Sequence, residues 1–136
     1  MDAHFALRYP LRLLLVEDDP INRKLMTIML RRLGYETLAA QDGVEAVEIY
    51  QRERPDCILM DLQMPRKDGF EAAAEIRKIE HLASRGEHVY IFALTANTIA
   101  EDRKRCFDMG MDDFISKPIS RSRLAETLMQ VKPHGI

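Results

Sequence analysis

The chain has 136 residues, of which 46% are hydrophobic and 31% are charged, and its formal net charge is -2. These values fit one globular domain with a single substantial core, and they leave little chain for a second domain. The lack of a basic excess argues against a nucleic-acid-binding surface. No apolar run is long enough to span a membrane, and the first ten residues are too polar for a signal peptide. We therefore expect a cytoplasmic protein without direct membrane contact.

Five short apolar runs alternate with amphipathic stretches along the chain. The runs predict strands at 11–16, 36–40, 57–60, 90–94 and 113–116. The amphipathic stretches predict five helices, each of which begins at a capping residue, in order Asp19, Asp42, Asp68, Thr98 and Ser120. Three of these caps are followed three residues later by glutamate, which is the pattern of a capping box: Asp42, Asp68 and Thr98. The run Arg103, Lys104 and Arg105 is expected on the solvent face of the fourth helix.

Strict alternation of strands and helices predicts an α/β fold. Its core is a doubly wound, five-stranded parallel sheet with helices on both faces, and right-handed crossovers leave few ways to wind it. We expect the domain to occupy residues 11–131. Residues 1–10 are predicted to be a linker or disordered N-terminal segment, and residues 132–136 a C-terminal tail.

Polar residues follow four of the predicted strands. Glu17 and Asp18 follow the first strand, and Asp61 follows the third. Thr95 follows the fourth strand and Lys117 the fifth. Because ligands of a doubly wound sheet bind at the carboxyl ends of its strands, we expect three carboxylates, one hydroxyl and one ammonium to converge there.

Three carboxylates in close proximity repel one another, so one of them becomes protonated unless a cation is present. Mg²⁺ suits such a group, because it is typically held by one or two carboxylates together with water and phosphate oxygens. The lysine adds positive charge and the hydroxyl can donate a hydrogen bond, which suits an anion with several oxygens. The residues therefore predict a Mg²⁺-dependent site for phosphoryl transfer to a carboxylate.

Four segments make the chain similar to response-regulator receiver domains from about residue 12 to residue 131. In chain order they are LLLVEDDPINRKL, ILMDLQMPRKDGFEA, ALTAN and GMDDFISKPI. The resemblance implies the flavodoxin-like fold of the chemotaxis response regulator, with strand order 2-1-3-4-5. These segments, and FALRYPLRLLLVED at the start of the chain, resemble receivers attached to hybrid sensor histidine kinases. A free-standing receiver is the alternative.

The resemblance also implies roles for single residues. Asp61 would be the phosphoacceptor and a ligand of Mg²⁺. Asp18 would bind the metal directly, Glu17 largely through water, and Gln63 through its main-chain carbonyl.

Further positions match the family's phosphoryl-binding and switch residues. Thr95 and Lys117 would contact the phosphoryl oxygens. Thr95 and Phe114 would form the switch pair, with Phe114 at a position where many relatives carry tyrosine. The bond between Lys117 and Pro118 is expected to be cis.

By the same resemblance, the chain is a phosphoacceptor in a two-component phosphorelay and not a turnover enzyme. It would take its phosphoryl group from a phosphohistidine on a histidine kinase or a histidine phosphotransfer protein. It would catalyse its own phosphorylation and release the group slowly by autodephosphorylation. The phosphoryl group would switch the face formed by the fourth predicted helix, the fifth strand and the fifth predicted helix. We expect a monomer or a weak homodimer.

Two alternatives compete with this interpretation. A small haloacid-dehalogenase-like phosphatase also places a nucleophilic aspartate, a hydroxyl and a lysine after successive strands. Its usual general acid, a second aspartate two residues after the nucleophile, is replaced here by Gln63, which cannot transfer a proton, and the chain lacks room for a substrate-enclosing cap. The second alternative, a degenerate receiver that acts only as a binding module, would require the loss of a key residue, and all of them are present.

Overall fold

Five strands and six helices make up the part of the chain that the computed structural model describes, which is residues 4–64, 66–96 and 100–134, with only the backbone described at 100 and 101. In chain order they are α1 Phe5–Arg8, β1 Leu13–Val16, α2 Pro20–Arg32, β2 Thr37–Ala40, α3 Gly43–Glu53, β3 Cys57–Asp61, α4 Gly69–Ala83, β4 Tyr90–Thr95, α5 Ala100–Asp108, β5 Asp113–Ser116 and α6 Arg121–Leu128. Within these ranges no helix is both long enough and apolar enough to cross a membrane.

The strands form one parallel sheet in the order β2-β1-β3-β4-β5, which confirms the predicted fold and strand order. β1 and β3 are neighbours, with Val16 paired to Met60. β3 and β4 are also neighbours, with Asp61 paired to Leu94. Because all five strands run in the same direction, their carboxyl ends lie along one edge of the sheet.

The central strands are buried on both faces, as their continuous apolar runs predict. Successive residues of a strand point to opposite faces, so alternate side chains of β1 fill two different cores. Leu14 and Ile58 pack with residues of α3 and α4 on one face. Leu13 and Leu59 pack with residues of α2 and α6 on the other. The helices thereby cover both faces and leave the carboxyl edge open.

Side-chain caps determine where four of the helices begin. The residues whose side chains accept a backbone N–H at a helix start are Asp19, Asp42, Asp68 and Ser120, at distances of 2.9–3.1 Å. The backbone N–H of Asp68 in turn donates to the Glu71 carboxylate, which completes the predicted capping box. The predicted cap at Thr98 lies outside the described residues.

The segment predicted as a linker or disordered contains a short helix, so the described residues hold six helices where the sequence predicted five. Phe5 in α1 is 5% exposed and packs in the same core as Tyr35. The Tyr35 hydroxyl donates a hydrogen bond of 2.6 Å to the carbonyl oxygen of Tyr9. A helix of four residues is too short to show a 3.6-residue period, and its order depends on contacts with residues much later in the chain.

Asp56, which immediately precedes β3, joins the two ends of the described domain. One of its carboxylate oxygens accepts the backbone N–H of Arg12 at 2.7 Å, and the other accepts that of His134 at 2.6 Å. The carboxylate is buried. Residues 12 and 134 therefore lie side by side at the amino edge of the sheet, opposite the edge where the strands end.

Candidate functional site

Three carboxylates meet at the carboxyl edge of the sheet. Glu17 and Asp18 follow β1, and Asp61 is the last residue of β3, its neighbour in the sheet. One oxygen atom from each of the three lies within 4.8 Å of the others. Glu17 is 1% exposed and Asp61 is 8% exposed, whereas Asp18 faces solvent. The structure therefore brings together the three carboxylates that the sequence predicted to converge.

Lys117 extends from the end of β5 toward this acidic group. Its Nζ lies 3.4 Å from Oε1 of Glu17 and 3.5 Å from Oδ1 of Asp61. Its backbone N–H donates to the carbonyl oxygen of Thr95 at 2.8 Å, and its bond to Pro118 is cis, as predicted. The lysine thus partly balances a site that otherwise carries only negative charge.

Thr95 ends β4, is buried, and lines a cavity of about 540 Å³ together with Asp61 and Lys117. Gln63 borders the same cavity and its backbone N–H points to Oδ1 of Asp61 at 3.4 Å. Phe114, on β5, is half-buried, and the guanidinium carbon of Arg103 lies 5.1 Å from the centre of its ring. The predicted phosphoryl-binding residues therefore surround one cavity.

The electrostatics of the acidic group favour a bound cation. Burial, together with a hydrogen bond and charge repulsion from Asp61, raises the pKa of Glu17 to about 7, although Lys117 opposes this shift. A metal ion that binds between these carboxylates displaces this proton to solvent and removes their mutual repulsion. The donors are all hard oxygen atoms in a space suited to one small ion, so these residues fit Mg²⁺.

Two residues of the site carry no recognisable signal in the sequence. Gly69, at the start of α4, lies so close to the acceptor that an added Cβ would stand 2.4 Å from the carbonyl oxygen of Asp61. Arg105, expected only on the solvent face of a helix, is exposed but also lines the cavity of Asp61. Helical periodicity predicts which face of α5 is exposed to solvent, but it does not predict which element lies opposite that face.

Comparison with known proteins agrees with this geometry. The family model of the response regulator receiver domain matches residues 13–129. Histidine protein kinase 1 of Candida albicans is 40% identical over 135 residues, which are 95% of this chain and 6% of that protein. The chain spans 6% to 12% of the length of several such curated relatives, which are hybrid or sensor histidine kinases.

Solved structures of receivers are also similar. The receiver domain of the sensor histidine kinase PA1611 from Pseudomonas aeruginosa, which has a magnesium ion coordinated in its active-site cleft, is 42% identical. The match covers 88% of this chain and 94% of that one, with a TM-score of 0.77. A co-crystal structure of the Saccharomyces cerevisiae phosphotransfer protein Ypd1 with the receiver domain of Ssk1 matches with a TM-score of 0.80 and 32% identity, over 87% of this chain and 86% of that one.

The strand order, the acidic group beside a lysine and these matches define a signalling receiver domain. The chain belongs to the response regulator receiver domain family. This assignment decides against the haloacid-dehalogenase-like alternative, because the family match covers most of the chain.

Proposed function

We propose that the chain is the phosphoacceptor of a two-component phosphorelay and that Asp61 is its nucleophile. The observation that carries this proposal is the position of the Asp61 carboxylate. It lies at a strand end, within 4.8 Å of carboxylate oxygens of Glu17 and Asp18 and 3.5 Å from the Lys117 ammonium. A carboxylate between metal-binding oxygens and a lysine suits in-line attack on a phosphoryl group.

Four residues would hold Mg²⁺ at this site. Asp18 and Asp61 would bind it through carboxylate oxygens, Gln63 through its main-chain carbonyl, and Glu17 largely through water. When bound there, Mg²⁺ supplies positive charge to the phosphoryl oxygens during transfer. The magnesium ion in the cleft of the Pseudomonas receiver supports this choice of metal.

The chain's own residues perform the transfer as follows. An oxygen of Asp61 attacks phosphorus while the bond from phosphorus to the donor's histidine nitrogen breaks, and the electron pair of that bond stays on the imidazole. Lys117 shifts from its carboxylate partners to a phosphoryl oxygen, and the hydroxyl of Thr95 donates a hydrogen bond to another. The product is an aspartyl phosphate. Because Gln63 cannot act as a general acid or base, this product persists as a stored signal and is lost slowly.

Formation of the aspartyl phosphate biases the neighbouring face of α5, β5 and α6. The phosphoryl group draws Thr95 inward, and Phe114 moves into the vacated space. Phe114 carries no hydroxyl, so its contribution to the switch is packing and its contact with Arg103. The result is a population shift between two arrangements of this face.

An exposed apolar patch beside the site supports docking of a phosphohistidine donor. Ile21 and Leu25 on α2 are 71% and 59% exposed. Leu25 borders a groove of about 720 Å³ that also reaches Lys117 and Pro118, so the patch is continuous with the acceptor site. A histidine kinase or histidine phosphotransfer domain that covered this patch would bring its imidazole to Asp61. The yeast phosphotransfer–receiver complex supports this class of partner.

The relatives support a wider setting for the domain. Because they are hybrid or sensor histidine kinases many times longer than this chain, we propose that the receiver serves as a module of a hybrid kinase. We also propose that it acts in the cytoplasm and is itself a monomer or weak homodimer.

Labelling with acetyl phosphate and Mg²⁺ tests the proposal. The wild-type protein should gain a phosphate that hydroxylamine removes, and Asp61→Asn should gain none. Asp19→Asn is a matched control, since Asp19 caps α2 and asparagine caps equally well. Label that persists in Asp61→Asn would contradict the assignment. A wild-type protein that folds but takes no label would indicate a degenerate receiver that acts by binding alone.

A further inference from the structure

A second cation lines the acceptor cavity in addition to Lys117. Asp61, Thr95 and Lys117 border the cavity from the strand ends, whereas Asp102 and Arg105 border it from α5. Among the described residues that line this cavity, Lys117 and Arg105 are the two cations. Arg105 therefore has access to the space that a phosphoryl group on Asp61 would enter.

The Arg105 side chain rests on a rigid aromatic ring. Its guanidinium carbon lies 4.1 Å from the centre of the Phe70 ring, which is close for a cation–π contact. Phe70 is buried, belongs to the core between the sheet and α4, and lines the same cavity. Stacking uses the flat face of a guanidinium and leaves its N–H groups directed along the edges, where an anion can bind them.

The charges of the site leave a role for a second cation. Lys117 lies 3.4 Å from Glu17 and 3.5 Å from Asp61, and its charge together with that of a bound Mg²⁺ only balances the three carboxylates of the site. A phosphoryl group adds between one and two further negative charges and three strong acceptor oxygens. A guanidinium binds such oxygens with two parallel hydrogen bonds, which an ammonium cannot do.

We propose that Arg105 is a phosphoryl-binding residue, which contacts the phosphoryl group of the incoming donor and then that of the aspartyl phosphate on Asp61. This inference rests on the proposed function of Asp61. Because Arg105 belongs to α5, the contact also links α5 directly to the acceptor site. The helix therefore responds to phosphorylation through Arg105 as well as through the Thr95 and Phe114 pair.

The rate of labelling as a function of acetyl phosphate concentration tests this inference. Arg105→Ala should raise the half-saturating concentration about 10-fold, the effect of losing one charge-assisted hydrogen bond. Arg105→Lys should restore part of the loss, since it keeps the charge but not the paired geometry. The matched control is Lys104→Ala, an exposed cation on the same helix, which should label as the wild type does.

Two further measurements separate binding from structure. Mg²⁺ affinity, measured by calorimetry, should be the same in Arg105→Ala and the wild type, because the metal ligands are untouched. The urea midpoint should fall only slightly, through loss of the contact with Phe70. An Arg105→Ala protein within two-fold of the wild type, or no weaker than Lys104→Ala, would overturn the role of Arg105 while leaving Asp61 as the acceptor. A wild-type protein that takes no label at all would instead overturn both proposals.

Discussion

Glu17 stands where a negative charge is costly unless a cation lies next to it. The side chain is 1% exposed and has Asp61 as a neighbour, and these two features raise its pKa to about 7. An exposed glutamate would titrate near 4.5. In the absence of metal, the folded protein therefore keeps a proton on Glu17 at pH values where the unfolded chain has released it.

This difference predicts how stability depends on pH in metal-free protein. Between pH 4.5 and about 7 the folded state binds a proton that the unfolded state releases, so the free energy of unfolding decreases as pH rises through this window. Glu17→Gln removes the effect. In EDTA, the free energy of unfolding of the variant should equal that of the wild type near pH 4.5. At pH 8 it should be higher by about 1–3 kcal/mol, as measured by urea denaturation.

Addition of Mg²⁺ at pH 8 provides the control. The ion binds the folded wild type and stabilises it by mass action, and it should stabilise Glu17→Gln less. Two results would contradict this account: a difference in free energy of unfolding between the two proteins that is the same at both pH values, or one that Mg²⁺ leaves unchanged. Either result would show that Glu17 does not carry this proton.

Gly69 is a second residue that decides the geometry of the site, because it has no Cβ. An added Cβ would stand 2.4 Å from the carbonyl oxygen of Asp61, which belongs to the backbone and cannot move alone. Gly69→Ala should lower the free energy of unfolding by about 1–3 kcal/mol and slow acetyl phosphate labelling, since Asp61 must shift. Lys78→Ala, an exposed change on the same helix, should alter neither. Normal labelling in Gly69→Ala would contradict this account.

At the scale of elements, α2 combines a buried and an exposed apolar face. Met26 and Leu30 pack in the core, whereas Ile21 and Leu25 are exposed next to the acceptor site. A helix with a single partner would need only the first face. The second face is therefore the part of α2 available to a phosphohistidine donor.

Leu25→Asp tests this surface. The change should slow transfer from a phosphorylated histidine phosphotransfer protein about 10-fold, because it puts a charge into an apolar contact. Labelling by acetyl phosphate, which needs no docking, should be unchanged. Leu82→Asp is the matched control, another exposed leucine, at the far end of α4. Equal transfer rates for the two variants would show that the donor docks elsewhere.

The elements also show which features a sequence can predict. Strands β1, β3 and β4 were visible as apolar runs, whereas β2 and β5 gave weaker or shorter patterns. Because a parallel sheet brings the residue after each strand to one edge, Glu17, Asp61 and Lys117 could be grouped without a structure. The helix α1 could not be predicted, because Phe5 depends on a contact with Tyr35, which lies much later in the chain. The place of Arg105 in the site could not be predicted either, because its partner Phe70 lies on another helix and no local pattern links the two.

At the scale of the whole molecule, Asp56 holds the amino edge of the sheet together. It binds the entry to β1 through Arg12 and the segment after α6 through His134. Asp56→Ala leaves the backbone N–H groups of Arg12 and His134 without this acceptor and should lower the free energy of unfolding by about 2–4 kcal/mol in urea. Asp108→Ala, at an exposed position, should change it by less than about 0.5 kcal/mol.

The acceptor site should be unaffected by the loss of Asp56. The two lie at opposite edges of the sheet, so Asp56→Ala that remains folded should bind Mg²⁺ and label at wild-type rates. If Asp56→Ala also lost affinity for Mg²⁺, the two edges of the sheet would be coupled through the strands.

The clamp at Asp56 also makes the domain a pivoting unit. Residues 12 and 134 meet at one carboxylate, and α1 packs against Tyr35, just before β2. Flanking segments in a longer chain would therefore leave from the amino edge of the sheet, and the domain would turn about that edge as a body. Asp61 lies at the opposite, carboxyl edge of the sheet and would therefore move through the largest distance. Encounter with a donor in the same chain would then depend on tether length, through the effective concentration it imposes, as well as on the docking surface of α2.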